Sequence, residues 1–379
     1  MRYNAECRND SFIYRDSCPD APFVDKSHES QTRGLFFCCP KEARRPFRQK
    51  IRARLLPCAV FRRLRIMTFN ESMMTEEFYR SLDQIMKQDF GGRGLLASLP
   101  ASPLKEVAAS LKRARRVILL TGFPVRRPDS SVTGETDGPS GTANLAAALT
   151  AAGCGVCVVT DGVSYPLLEA ALQYRDPKAM LIRLPEKQPE AFIRSFVRDS
   201  APTHLISLER PGKAADGHYH NMRGEIIDDM ISDSALFLSE ARNAGATVIS
   251  VGDGGNEMGM GAFRRQVAAG VPFGDFICAE EAADLPLASG VSNWWGWGLS
   301  ALLSVMSGRF LLPSPEEETR LLARVVSAGG VDGCTKRAEL SVDQLPLERH
   351  LAVLQAVSEL TARELTEKPA ARPLAGNRR

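Results

Sequence analysis

Apolar residues along the chain form short continuous runs that alternate with segments of helical periodicity. The runs of strand length are RVILLTG, VCVVTDG, AMLIRLP, HLISLER and TVISVGDGG. The helical segments between them are GTANLAAALTAAG, SYPLLEAALQY, PEAFIRSFVRDS and DDMISDSALFLSEARNAG. Strands that are apolar on both faces and are each followed by a helix are typical of a covered parallel sheet. The pattern therefore predicts an α/β fold, doubly wound, with a mostly parallel sheet and helices on both faces in a Rossmann-like three-layer arrangement.

Helical periodicity continues on both sides of this alternating core. Before the first strand stand TEEFYRSLDQIMKQD, with Thr75 as a candidate cap, and SPLKEVAASLKRA. After the fifth strand stand FRRQVAAG, an apolar helix opened by GVSNWWGWG, then PEEETRLLARVVSAGG and ERHLAVLQAVSELTARE. We predict one folded domain over residues 68–365, a leader over residues 1–67 and a flexible tail over residues 366–379.

Charge and hydropathy restrict the class of partner. The 379 residues include 48 basic and 45 acidic side chains, and the net charge of +3 gives no general reason to expect nucleic acid or an anionic membrane. We find no apolar stretch that approaches the roughly 20 residues needed to cross a bilayer. The sequence is silent on oligomeric state.

The predicted leader is basic in its second half. No acidic residue occurs between Ala43 and Asn70, which is typical of a mitochondrial targeting segment. Residues 1–42, in contrast, contain acids such as Asp10 and Asp16, which such segments avoid. A disordered leader and a targeting leader both fit this composition.

The cysteines indicate no disulfide or metal framework. Cys154 and Cys157 form a C-x-x-C pair at the start of an apolar strand, but no second pair accompanies them. We interpret them as buried thiols in a reducing compartment, and Cys278 as a core thiol.

Polar, glycine-rich stretches follow four of the five predicted strands. They are GETDGPSG, the pair Asp161-Gly162, PGKAADGHYHNMRG and GDGGNE. In a doubly wound sheet, ligands bind in the crevice beyond the carboxyl ends of the strands. We therefore predict that these loops converge on one site at that edge of the sheet.

Two of these loops offer carboxylates beside glycines. In GDGGNE, Asp253 and Glu257 fit either metal ligation or general acid–base catalysis, and the glycines let the backbone approach a ligand closely. In GETDGPSG, Gly138 and Ser140 lie at a helix start, where free amides favour an anion. The acids of that loop would then bind a cation or a substrate ammonium.

The loop after the fourth strand brings cations. Arg210, Lys213 and Arg223 suit carboxylate recognition. We interpret His218 and His220 as loop histidines, because no third metal ligand stands at a standard spacing. The tryptophans of GVSNWWGWG are predicted to pack, and Ser292 and Asn293 just before them are cap residues able to face the same crevice. Neither a G-x-S-x-G motif nor a Ser/His/Asp set supports acyl-enzyme chemistry.

Five stretches together resemble the C-terminal domain of the mitochondrial D-glutamate cyclase family. They are TGFPV, ETDGPSG, ERPGKAADGHYHNMRG, VGDGGNEMGMG and GVSNWWGWG, in that order. The resemblance covers roughly Thr68 to Thr361. It implies a lyase of the hydro-lyase type that converts D-glutamate to 5-oxo-D-proline and water, in the mitochondrial matrix. Longer members carry a further large N-terminal domain, which residues 1–67 are too short to provide.

Chemical reasoning on the matching positions gives each a hypothetical role. Asp253 and Glu257 would transfer protons, and a divalent metal could lie between them; the sequence establishes no cofactor. Arg210 and Arg223 would pair with substrate carboxylates, Glu135 or Asp137 would hold the ammonium, and amides near Gly138 and Gly254 would cradle an oxyanion. The predicted substrate-binding residues are Glu135, Asp137, Gly138, Ser140, Arg210, Arg223, Gly254, Asn256 and Asn293. A catalytically silent ligand-binding relative and a metal-dependent phosphoryl-transfer enzyme are the alternatives.

Overall fold

The computed structural model describes residues 74–367. Its strands are β1 (Arg116–Thr121), β2 (Pro124–Arg126), β3 (Val132–Gly134), β4 (Gly155–Thr160), β5 (Met180–Arg183), β6 (His204–Leu208), β7 (Thr247–Gly252), β8 (Leu285–Ala288), β9 (Ser341–Val342) and β10 (Leu345–Pro346). Six of them form one parallel sheet in the order β5-β4-β1-β6-β7-β8. Numbering only these six by their place in the chain gives 3-2-1-4-5-6, the strand order of the Rossmann fold. The predicted α/β, doubly wound fold is confirmed.

Eleven helices accompany the strands in the described part of the chain. They are α1 (Glu76–Met86), α2 (Leu104–Leu111), α3 (Pro139–Ala151), α4 (Tyr165–Arg175), α5 (Pro189–Ser200), α6 (Leu236–Asn243), α7 (Arg264–Gly270), α8 (Gly274–Ile277), α9 (Asn293–Ser307), α10 (Pro315–Ser327) and α11 (Leu347–Glu367). Thr75 caps α1, as predicted, by accepting a hydrogen bond from the amide of Phe78. None of these helices is long and apolar enough to cross a membrane.

Successive residues of the central strand point to opposite faces of the sheet and into separate cores. In β1, Val117 and Leu119 join the larger core, which contains side chains of α1 to α4 and of α9 to α11. Ile118 and Leu120 join a second core with side chains of α5 and α6. Both faces of the sheet are therefore covered, which explains the continuous apolar runs in the sequence.

Helix α9 is buried along nearly its whole length. Trp294, Trp295 and Trp297 have no solvent exposure, which confirms that they pack. The first turns of α9 and α3 are in close contact, since a Cβ atom on Gly296 would lie 2.3 Å from the carbonyl oxygen of Gly141. Glycine at this crossing lets the two helix N-termini meet.

Three features of the fold differ from the sequence prediction. The sheet has a sixth strand, β8, and the chain forms two small hairpins, β2-β3 and β9-β10, that the apolar pattern does not indicate. The helix predicted from Asp228 begins only at Leu236. Asp233 interrupts it, because its carboxylate accepts hydrogen bonds from the Ala235 amide and the Tyr219 hydroxyl.

The described residues cover only part of the predicted domain boundaries. Helix α11 continues to Glu367, two residues into the predicted tail. The predicted leader, 1–67, and the rest of the predicted tail, 368–379, lie outside the described residues.

Candidate active site

A cavity of about 300 Å³ opens at the carboxyl ends of β1, β6 and β7. Its walls come from the segments that follow these strands, from residues 333–343, and from Arg93. Strands β1 and β6 are neighbours at the point where the strand order reverses, which is where doubly wound folds bind their ligands. The volume lies at the lower end of the range for small-molecule sites.

Buried carboxylates form the floor of this cavity. The acids that line it with at most 8% exposure are Glu135, Glu209, Asp253, Glu257 and Asp343. Asp137, which is 1% exposed, completes the group. One oxygen from each of Asp137, Glu209 and Asp253 lies within 4.8 Å of the other two. Such a group of oxygens is able to hold a hard cation.

Arg93 is a partly buried cation of the floor, with 19% of its side chain exposed. Its Nη1 contacts Oδ1 of Asp253, and its Nη2 lies 2.8 Å from Oδ1 of Asp343. Burial disfavours the charge of Arg93, but the surrounding acids, with Asp343 the largest contributor, raise its pKa overall. One guanidinium thus serves two carboxylates.

Glu209 is held in an unusual backbone conformation. It follows β6 with a φ of 49°, in the left-handed region that non-glycine residues rarely adopt. Lys336 and Asp343, which also line the cavity, have φ values of 61° and 54°. Strain of this kind concentrates at functional sites. Burial, followed by the charges of Glu257, Asp137 and Glu135, holds the pKa of Glu209 well above its usual value.

Asp137 lies against the N-terminus of α9. Its carboxylate accepts hydrogen bonds from the amides of Asn293 at 2.7 Å and Ser292 at 2.9 Å. Burial and then the charge of Asp343 raise the pKa of Asp137 well above its usual value, although both hydrogen bonds oppose this shift. Burial, Asp343 and Asp137 likewise raise the pKa of Glu135.

The anion cradle expected at the start of α3 is already filled by the protein. Oδ1 of Asn293 accepts hydrogen bonds from the amides of Gly138 at 2.9 Å and Gly141 at 2.7 Å. Gly138, Ser140 and Asn293 are fully buried behind the cavity and do not line it. Their predicted role in binding substrate therefore does not fit their position, and they instead join the N-termini of α3 and α9.

Arg210 also has a different place from the one expected. Its side chain has no exposure, and its guanidinium donates to Asp161 Oδ2 at 2.6 Å, the Ser232 carbonyl at 2.7 Å and Ser234 Oγ at 3.0 Å. It does not line the cavity. Pairing of Arg210 with a substrate carboxylate does not fit this geometry, because the guanidinium is enclosed by these partners and lies outside the cavity.

Glu257 organises the glycine-rich loop after β7. Its carboxylate accepts hydrogen bonds from the amides of Asp253, Gly254 and Gly255 at 3.1, 2.8 and 2.7 Å. Burial raises the pKa of Glu257, and the amides of Gly254 and Gly255 are among the groups that oppose the shift. The amide of Gly254 is thus occupied by Glu257, so the second predicted cradle does not fit either. Asn256 does line the cavity, with its Nδ2 donating to the His220 carbonyl at 2.8 Å.

Basic side chains surround the mouth of the cavity. Arg223 is exposed and Lys336 is partly exposed, and neither forms an ion pair with any described residue. Arg126 binds Asp229 at 2.6 Å in a solvent-exposed pair. Of the predicted cations, Arg223 therefore reaches the site.

The remaining candidates lie outside the cavity. Lys213 pairs with Asp233, His218 with Asp228, and His220 with Asp216. The thiols interpreted as structural are free, and burial raises the pKa of Cys154 and Cys278 to about 11 each. These pKa values disfavour a thiolate nucleophile.

Sequence reasoning missed several residues of the cavity, among them the charged residues Arg93, Glu209, Lys336 and Asp343. Glu209 carried a usable signal, because it follows β6 directly just as Asp253 follows β7. The other three lie far from the predicted strand ends, where the pattern gives no signal.

Fold and cavity together define the class of the protein: an α/β domain with an acid-floored cavity at the switch point of its sheet. Residues 82–358 match the family model described as D-glutamate cyclase-like, C-terminal, and the chain belongs to this family. Human D-glutamate cyclase, mitochondrial, is 28% identical over 330 residues, which cover 78% of this chain and 53% of that protein. The chain thus spans about half the length of that relative. The family resemblance seen in the sequence is confirmed.

Proposed function

We propose that the cavity binds D-glutamate and converts it to 5-oxo-D-proline and water. The observation that carries this proposal is the distribution of charge in a cavity of a D-glutamate cyclase-like domain, with acids on the floor and unpaired cations at the mouth. Glutamate at neutral pH carries two carboxylates and one ammonium. The cavity offers groups of opposite charge to each of them.

The depth of each group suggests the orientation of the substrate. Arg223 and Lys336, at the mouth, suit the α-carboxylate, which does not react. Arg93, deeper in the cavity, suits the γ-carboxyl group, whose oxygens gain charge when the amine attacks. The ammonium then faces the floor acids, and the chain of the substrate is curled for ring closure.

The reaction moves two protons from nitrogen to oxygen. A bond forms between the amine nitrogen and the γ carbon, and one γ oxygen leaves as water with both protons. A carboxyl group that reaches both atoms is able to carry these protons. Glu135 is the best placed candidate, because it lines the cavity and lies outside the oxygen group of Asp137, Glu209 and Asp253.

This assignment changes the roles hypothesised for the GDGGNE loop. Asp253 acts by holding Arg93, and Glu257 acts by fixing the loop through three backbone amides. Both residues position other groups rather than transfer protons themselves.

The direct test is to incubate the purified full chain with D-glutamate or L-glutamate and to separate the lactam products by chiral chromatography. We expect 5-oxo-D-proline from D-glutamate. Glu135→Gln should lower turnover by about 10²-fold. Glu186→Gln is the matched control, since Glu186 is exposed in a surface pair with Arg183 and should leave turnover unchanged.

Other outcomes would distinguish the alternatives. Binding of D-glutamate without lactam formation by the folded chain would indicate a catalytically silent relative. Mg²⁺-dependent nucleotide hydrolysis without lactam formation would indicate phosphoryl transfer. Because the human relative is named as mitochondrial, we also propose that compartment for this chain; a full-length fluorescent fusion that stays outside mitochondria would contradict it.

A further inference from the structure

We propose that Asp137, Glu209 and Asp253 together bind one divalent metal ion, Mg²⁺ or Mn²⁺, in the floor of the cavity. One oxygen of each lies within 4.8 Å of the others. Two oxygens on opposite sides of Mg²⁺ are about 4.2 Å apart at usual bond lengths. The three carboxylates therefore need only small side-chain movements to share an ion.

The balance of buried charge supports a cation at this position. Six carboxylates with at most 8% exposure meet here, and the cation that contacts two of them is Arg93, whose side chain is 19% exposed. Arg93 is shared between Asp253 and Asp343. Backbone amides bind Asp137 and Glu257 but bring no net charge. Buried carboxylates without a counter-charge are costly to ionise, and a divalent ion would offset that cost by supplying the positive charge that the floor lacks.

Unpartnered oxygens give an independent indication of a missing ligand. Oε2 of Glu209, Oδ2 of Asp343 and Oδ1 of Asn256 are buried and find no hydrogen-bond partner within residues 74–367. All three residues line the cavity and are at least nine-tenths buried. The amide oxygen of Asn256 and the oxygens of an ionised carboxylate only accept, so their partner must be a hydrogen-bond donor or a cation. The backbone of Glu209 is strained as well, with a φ of 49°, which is typical of residues at functional sites.

The chemistry of the donors selects the kind of ion. All three donors are carboxylate oxygens, and within the described residues the group includes neither histidine nor cysteine. Oxygen-only donors favour Mg²⁺ or Mn²⁺ over Zn²⁺. A substrate ammonium is the other possible partner for these oxygens, but it binds only when substrate is present. The metal site does not depend on the proposed cyclisation.

The test is a titration of the full chain, stripped with EDTA and without substrate, with MnCl₂ while free Mn²⁺ is followed by electron paramagnetic resonance. We expect one Mn²⁺ per chain, displaced by Mg²⁺. Glu209→Gln should weaken the binding by about 10-fold or more, because it removes one charged ligand. Glu225→Gln, at the mouth of the same cavity, is the control and should bind Mn²⁺ as the wild type does.

Two results would overturn the proposal. One is the absence of Mn²⁺ binding by the folded wild type at concentrations of about 1 mM, which exceeds the range expected for a built site. The other is binding that Glu209→Gln leaves unchanged. Because neither result involves D-glutamate, failure of the metal site is distinguishable from failure of the proposed reaction.

Discussion

Two arginines near the same edge of the sheet form opposite kinds of site. Arg210 has no exposure, and its guanidinium is enclosed by Asp161 and by oxygens of Ser232 and Ser234. Arg93 keeps 19% of its side chain exposed and contacts Asp253 and Asp343 on a cavity that contains further acids. The first is a balanced pair, whereas the second leaves a surplus of negative charge.

The two regions show two ways in which a fold buries charge: as a closed ion pair that stabilises the fold, and as an open cluster that a ligand can reach. A closed pair leaves no capacity for a ligand, so Arg210 and Asp161 serve the fold by joining the loops after β4 and β6. The open cluster around Arg93 costs stability, and a fold retains such a cost where a ligand compensates it. The comparison can be tested by removing each arginine and one of the surplus acids.

The largest effect on stability is expected for Arg210→Met. This change leaves Asp161 buried and unpaired, so the free energy of unfolding should fall by about 3–5 kcal/mol. Urea unfolding followed by circular dichroism measures it. Arg198→Met is the control, because Arg198 and Asp199 form a pair with 71% and 42% exposure. The control should change the free energy by less than about 1 kcal/mol. Equal effects of the two substitutions would show that the buried pair is not structural.

Arg93→Met should lower activity strongly and stability only slightly, in contrast to Arg210→Met. It removes the cation placed at the γ-carboxyl group, so kcat/KM for D-glutamate should fall by about 10²–10³-fold. The free energy of unfolding should fall by less than about 2 kcal/mol, because Asp253 and Asp343 face a cavity that water can enter. Steady-state kinetics and urea unfolding of the same preparation measure both quantities. A loss of stability as large as that of Arg210→Met would show that Arg93 is also structural.

The sequence is sufficient to predict the fold, because the fold follows from the periodicity of apolar residues along the chain. Continuous apolar runs identify five of the six sheet strands, and three of the four helices between them were expected in the right places. Strand β8 is missed because it has four residues and contains Pro286, which weakens its strand pattern. The early start predicted for α6 fails because Asp233 and Ser234 make tertiary hydrogen bonds that periodicity does not reveal.

The sequence pattern predicts only part of the candidate site. Asp253 and Glu135 line one cavity, as expected from loops at the same edge of the sheet. Glycine-rich loops beside helix starts indicate free amides, but the structure supplies internal acceptors for them in Asn293 and Glu257. Arg93 reaches the site from a segment between α1 and α2, a contact that no local pattern encodes.

The central claim is that the floor acids bind a ligand and lower the stability of the fold when no ligand is present. The substitution with the smallest expected effect on stability, Glu209→Gln, tests this claim. The measurement is the free energy of unfolding of Glu209→Gln and wild type in urea with EDTA. Glu209 is 5% exposed and its Oε2 has no partner among residues 74–367. Replacing it by a neutral side chain of the same shape should raise the free energy of unfolding by about 1 kcal/mol. A decrease of several kcal/mol, comparable to that of Arg210→Met, would contradict the account.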